Sequence, residues 1–200
     1  MTTPTLDFEK KLWKLGFTKV CGVDEVGRGS FAGPVVAGAV IFKDSKIPEG
    51  INDSKLLKPL QREKLDKEIK KAALSWAVSE ISVRHINKLG IGKATQMAFR
   101  KAVKKISPDF VLIDAFYINN LSRKKQKAIK KGDQICASIS AASIIAKVYR
   151  DGLMTALDKK YPAYGFDKHK GYGTKNHRDA IKTHGLCKLH RKSFNLQKFL

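Results

Sequence analysis

Cysteine is nearly missing from this chain: Cys21, Cys136 and Cys187 are its three, far apart. That count excludes a disulfide framework and the spacing excludes a cysteine zinc site; both suit a reducing compartment, and the cytoplasm is the expected location. No apolar run reaches the about 18 residues a membrane-spanning helix needs, so no membrane association is expected. Met1–Lys14 lacks the positive segment and apolar core of a secretory signal. The five histidines show no metalloprotease spacing, and none is assigned to a metal. Acidic residues are scarce too: 18 Asp and Glu stand against 40 Lys and Arg, a formal net charge of +22. That surplus favours a polyanionic partner, nucleic acid before anionic lipid. The bland alternative is a solvated, lysine-rich surface.

What remains is ordinary in amount. Two hundred residues with 42% hydrophobic content suit one domain, or a domain with a small appendage, around a real core. Leu6–Leu15 reads as a short amphipathic helix stopped by Gly16. Lys19–Asp24 reads as a strand, and Pro34–Phe42 as a second, buried on both faces and hairpinned to the first. A turn-rich link, Ile47–Lys55, leads to a charged helix over Lys58–Ala73 with Pro59 in its first turn. Trp76–Val83 reads as a third strand and Ile86–Ile106 contains a helix whose start Gly90 and Gly92 delay. Asp109–Asp114 is a fourth strand, Ala128–Asp133 a short fifth, and Ser138–Lys160 a long helix with Ala141, Ala142 and Ala146 for close packing. Thr174–His184 is a short helix capped by Gly185, ahead of a basic tail. The order implies an α/β fold with a mixed sheet flanked by helices.

The chain is organised around Val20–Gly33, VCGVDEVGRGSFAG. An apolar strand there delivers Asp24 and Glu25 to its own end, followed by a glycine turn carrying Arg28 between Gly27 and Gly29. Neighbouring side chains of a regular strand point to opposite faces, so a shared site requires the strand to end or twist between the two acids. Asp114 closes a second apolar strand, and Asp133 follows Lys131-Gly132 ahead of the small-residue helix. If the two strands are sheet neighbours, Asp24, Glu25, Asp114 and Asp133 converge. Converging carboxylates repel one another, and hard oxygen donors suit Mg²⁺ or Mn²⁺, two of which would hold both reacting oxygens of a phosphoryl displacement. Taken singly, a strand-end Asp is more often a turn former. Glu25 could instead pair with Arg28. Asp151, four residues after Lys147, reads first as a solvent-side ion pair, although Ser140, Ser143, Lys147 and Asp151 share one helical face.

DEVGRGSFAGPVVAGAV (Asp24–Val40), NDSK (Asn52–Lys55), VLIDAF (Val111–Phe116), KGD followed by SISAASIIAKVYRD (Lys131–Asp151), YGFDKHKGYGTKNH (Tyr164–His177) and HRKSF (His190–Phe194) occur in that order. Together they resemble the bacterial ribonuclease HII family from about Cys21 onward. The resemblance implies a ribonuclease H-like fold over residues 1–160, with a small helical substrate-binding extension over 161–200 packed on it. It also implies cleavage of RNA in RNA–DNA hybrids and incision at single ribonucleotides embedded in duplex DNA, leaving 3′-hydroxyl and 5′-phosphate ends. By motif, the metal-binding acids are Asp24, Glu25, Asp114 and Asp133, with Asp151 competing for the fourth place. Gly27, Arg28 and Gly29 would approach the ribonucleotide, with Tyr172 as their partner, because the 2′-hydroxyl is what distinguishes RNA at such a site. Lys55, Lys147 and the basic tail are the expected phosphate contacts.

Two other functions compete. A non-catalytic nucleic-acid-binding protein needs only the charge, but acids facing phosphate would weaken it. A DNA-directed resolvase- or transposase-like nuclease keeps the metal site but has no use for a 2′-hydroxyl sensor. Nothing in the chain signals self-association, so a monomer is expected.

Overall fold

A computed structural model describes residues 3–43 and 46–200; of the segments read above, only the start of Met1–Lys14 lies outside the described residues. The elements run α1 (Asp7–Lys14), β1 (Val20–Val26), β2 (Val35–Phe42), α2 (Pro59–Ala72), β3 (Ala73–Ile81), α3 (Val83–Ile106), β4 (Phe110–Asp114), β5 (Gln126–Ile129), α4 (Gly132–Ile135), α5 (Ala137–Asp158), α6 (Phe166–His169) and α7 (Lys175–His184). The five strands form one mixed sheet in the order β3-β2-β1-β4-β5. β1 pairs antiparallel with β2 and parallel with β4, as the hairpin and strand-neighbour readings require.

Alternation along the strands sorts the core into two layers. Cys21, Val23, Ala39, Ile41, Val111 and Ile113 face α3. Val40 and Phe42 face α5 and α2 on the other side. Two glycines set how closely α5 lies on the sheet. A Cβ at Gly22 would stand 2.1 Å from the Ser138 carbonyl carbon, and one at Gly38 2.1 Å from the Ala142 oxygen. Small residues on both sides of this contact therefore bring α5 against the very strand that carries Asp24.

Several element boundaries differ from the sequence reading. β1 continues past Asp24, because β2 supplies partners as far as Val26↔Val36. β3 starts at Ala73, whose extended backbone (φ −69°, ψ 141°) ends α2 and leaves no loop between them. α3 already begins at Val83, and Gly90 (φ 78°, ψ 157°) interrupts it rather than delaying it. The fifth strand occupies Gln126–Ile129; Lys131 at φ 56° breaks the extended chain, which places Asp133 in α4.

After α5 the chain folds back. Tyr164 and Phe166 pack with Ala32 and Met154, so residues after 160 build on α5 and on the glycine turn rather than standing apart.

Candidate active site

β1 and β4 run side by side through Val23↔Ile113, and each next residue is an acid. Asp24 shares the strand face of Gly22, and Asp114 that of Leu112, so both carboxylates lie at one end of the sheet on its α5 side. Pairing of β1 with β4 stops there, leaving an open strand edge. Glu25 sits one residue further on the opposite parity and reaches the same cleft around that edge. The strand neither ends nor breaks between the two acids; the loss of its β4 neighbour is what lets them share a cavity.

That cavity measures about 570 Å³, and Asp24, Glu25, Asp114, Lys55, Lys147 and Tyr172 are among its walls, with Gly27 and Arg28 at the turn. Gly29 is exposed beyond it. Asp24 is 6% exposed, and its Oδ1 accepts the Glu25 backbone N–H at 2.8 Å. Ser143 of α5 faces Asp24, where it partly offsets the rise of that carboxyl, and stands 2.9 Å from the Ser54 hydroxyl. Asp114 Oδ1 accepts the Gly132 N–H at 2.7 Å, which ties the acid of β4 to the start of α4. Asp133 is buried behind this, and Lys55 Nζ lies 3.2 Å from its Oδ2.

The acids raise one another. Burial pushes Asp24 well up from the ordinary carboxylate range, and Glu25 and Asp114 add repulsion. Burial lifts Glu25 to about 7 even though Arg28, 3.7 Å away, pulls in the other direction. Asp114 is raised by burial, with Asp133 adding to it. Proton uptake or a bound cation relieves this strain.

The cavity wall contains no histidine or cysteine, so the donors are hard oxygens of the kind Mg²⁺ and Mn²⁺ prefer. Among the described residues, no three His, Cys, Asp or Glu side chains are already drawn into a metal cage. A cation here would take part of its shell from water and phosphate, as Mg²⁺ commonly does. The carboxylates fit such an ion in chemistry and charge.

Asp151 does pair with Lys147 at 2.7 Å, but not on the solvent side. Arg62 of α2 reaches its other oxygen at 3.6 Å, and all three side chains are mostly buried, so the group bolts α2 to α5 at the cleft rim. Ser140 donates to the Asn52 carbonyl at 2.9 Å and, with Ser143, anchors NDSK to α5.

Tyr172 lines the cleft with Lys147 Nζ and Arg150 Cζ each 5.5 Å from its ring. Its carbonyl accepts from His177 Nδ1 at 2.9 Å, and His177 Nε2 meets His190 Nε2 at 3.1 Å. His190 Nδ1 accepts the Cys187 N–H at 2.9 Å, so a chain of neutral imidazoles satisfies every nitrogen. Burial lowers both rings to about 4.

Sequence reasoning passed over three residues. Asp53, inside the quoted NDSK, is 4% exposed; it accepts from the Lys55 N–H at 3.0 Å and from Gln134 Nε2 at 3.3 Å. Arg150 and Arg191 are wholly buried, and among the described residues no acid forms an ion pair with either. Arg150 donates to Pro34, Lys170 and Ala32 carbonyls at 2.8–3.0 Å, and Arg191 to Gly33, Arg28 and Pro34 carbonyls at 2.8–3.1 Å. Together they clamp the turn between the strands to the C-terminal segment. Gly27 (φ 86°) makes room, since a Cβ there would stand 2.0 Å from Arg150 Nε. Their only sequence signal was membership of the quoted YRD and HRKSF motifs.

Residues 21–197 match the sequence model of the family described as Ribonuclease HII. The chain is 51% identical over 191 residues to Ribonuclease HII of Ruminiclostridium cellulolyticum, covering 94% of this chain and 74% of that one. It is 47% identical over 196 residues to Ribonuclease HII of Acholeplasma laidlawii, covering 97% and 96%. Among solved structures, ribonuclease H2 of Pyrococcus horikoshii superposes with a TM-score of 0.74 at 27% identity, covering 90% of this chain and 96% of that one.

Proposed function

We propose that this chain, which belongs to the ribonuclease HII family, is an endonuclease that hydrolyses the RNA strand of RNA–DNA hybrids and incises at single ribonucleotides embedded in duplex DNA. One observation supports this above the others. Asp24 and Asp114 stand side by side on one face where the parallel pairing of β1 and β4 stops, beside a glycine-arginine-glycine turn and a tyrosine in the same cavity. A protein that only adheres to nucleic acid has no reason to bury acids where a phosphate must come, and a DNA-directed nuclease has no use for a sugar-reading turn.

In this reading Asp24, Glu25, Asp114 and Asp133 hold Mg²⁺ or Mn²⁺, two ions once substrate is bound. Asp133 fits better than Asp151 because it borders Asp114 and has one cationic partner, Lys55 of the same cavity, while Asp151 is held by Lys147 and Arg62 together. The ions supply charge that offsets the phosphodiester's and an activated water as nucleophile. The protein's own groups orient the strand. The Gly27–Gly29 turn brings backbone close to the sugar, Tyr172 offers a ring and a hydroxyl to the 2′-hydroxyl, and Lys55 and Lys147 meet phosphate oxygens. Arg150 and Arg191 keep the turn and Tyr172 in register. The products carry 3′-hydroxyl and 5′-phosphate ends. Residues 161–200 form the substrate-binding extension, and the chain works as a monomer. Among the described residues no helix is long and apolar enough to cross a membrane.

The deciding experiment incubates the protein with a DNA duplex carrying one ribonucleotide, and with a full hybrid, in Mg²⁺, Mn²⁺ or chelator, and maps the cut ends. Metal-dependent incision at the ribonucleotide is expected; an uncut hybrid in both metals refutes the assignment.

A further inference from the structure

The segment after β4 has no part in the cleft as described. Ala115, next to Asp114, takes φ 57° and turns the chain outward. Phe116 and Tyr117 follow, and their 43% and 40% exposure puts two large aromatic residues side by side on the surface. Scattered exposed apolar residues need no explanation, but these two are neither scattered nor alone. Arg28 Cζ lies 4.5 Å from the Phe116 ring centre, and Arg123 Cζ lies 3.7 Å from that of Tyr117.

The loop beneath them is fixed in advance. Gln126, 4% exposed, donates to the Ile118 and Leu121 carbonyls at 3.0 and 2.7 Å and accepts the Ile118 N–H at 2.8 Å. Gln96 reaches across from α3, donating to the Tyr117 carbonyl at 2.9 Å and accepting the Asn119 N–H at 2.7 Å. Two side-chain amides thus do for this loop what a strand partner would, and they fix its backbone from Tyr117 to Leu121 before anything binds. Contact with a ring does not use up a guanidinium's N–H donors, which can still meet phosphate oxygens. The neighbouring ring face takes a sugar or an unstacked base. At one end Arg28 belongs to the cleft; at the other Arg123 opens a short basic run, Arg123–Lys125.

We propose that Phe116, Tyr117 and Arg123 form a ledge that grips the sugar-phosphate backbone of a nucleic-acid strand leaving the cleft, beyond the nucleotide being cut. This rests on the function proposed above and adds a contact outside both the Gly27–Gly29 turn and Tyr172. Arg28 links ledge and cleft, so a strand engaged at one is led to the other.

The test uses the full chain carrying Asp114→Asn, so that substrate survives, and measures affinity by fluorescence anisotropy. Two hybrids are compared: a short one confined to the cleft, and one longer by a helical turn on each side. Tyr117→Ala and Arg123→Gln, made separately at exposed positions, should each weaken the long hybrid about three- to tenfold and the short one far less. Arg123→Gln should also lower the salt slope by about one, and Tyr117→Ala should leave it in place. Lys104→Ala removes an equal charge beside Val78 and Tyr149, away from the cleft, and serves as the control. Unchanged affinity in both ledge variants, or an equal loss from Lys104→Ala, overturns the ledge. Cleavage of hybrid by the unsubstituted chain is scored separately. Its absence would sink the proposed function, whereas cleavage without a ledge effect would sink the ledge alone.

Discussion

Replacing Glu25 by Gln isolates the charge stored in the cleft. Burial raises the Glu25 carboxyl from the usual 4.5 to about 7; Arg28 opposes the rise and Asp114 reinforces it. A displacement of that size corresponds to about 3 kcal/mol by which the folded site disfavours the carboxylate. Relaxation and water entry reduce this, so a net gain of about 1–2 kcal/mol is expected from the substitution. In a chain of this length that is about 2–8 °C in Tm. The sign follows from linkage. Between pH 4.5 and about 7 the folded protein holds the Glu25 proton that the unfolded chain has lost, so stability falls as pH rises through that window. Glu25→Gln should therefore raise Tm in chelator at about pH 8 and have almost no effect at or below about pH 4.5. Adding Mg²⁺ at the higher pH should raise the unsubstituted protein more than the variant, because the ion binds only the folded site. Thermal unfolding at both pH values, with and without Mg²⁺, measures all of this. Destabilisation at the higher pH would show that Glu25 is a satisfied ion pair with Arg28, and an equal gain at both would show that its charge is not the source of the strain.

Asp114→Asn should lower hybrid cleavage about a hundredfold or more with duplex binding largely intact; activity retained at saturating Mg²⁺ would remove Asp114 from the site. Tyr172→Ala should slow incision at a lone embedded ribonucleotide about five- to a hundredfold, the range of a lost base or sugar stacking contact. An unchanged single-turnover rate would refute the sensor role. Affinity for a hybrid should fall several-fold or more between about 50 and 200 mM salt, and a flat response would mean that the surplus of lysine never meets phosphate.

Much of this arrangement was legible before any coordinates. Apolar runs that end in Asp24 and Asp114, a short hairpin connection and a run of alanines on one helix are local patterns, and they led to the sheet neighbours and the helix found on it. The ordered motifs carried the family. Local pattern also set the errors: extension after Ile129 looked continuous, although Lys131 at φ 56° turns the chain into α4. Burial of the cations was beyond reach. Arg150 and Arg191 look like any others among 40 Lys and Arg. Their partners are carbonyls up to 163 residues away in sequence. Periodicity reports which face of an element is buried; it carries nothing about which distant backbone oxygens a guanidinium will meet. By itself the sequence determined that acids close two apolar runs, one of them beside a glycine turn, in a basic protein. Only the tertiary structure decided that they share one cleft, because that requires β4 to stop where β1 goes on and two buried arginines to lock the turn against the tail.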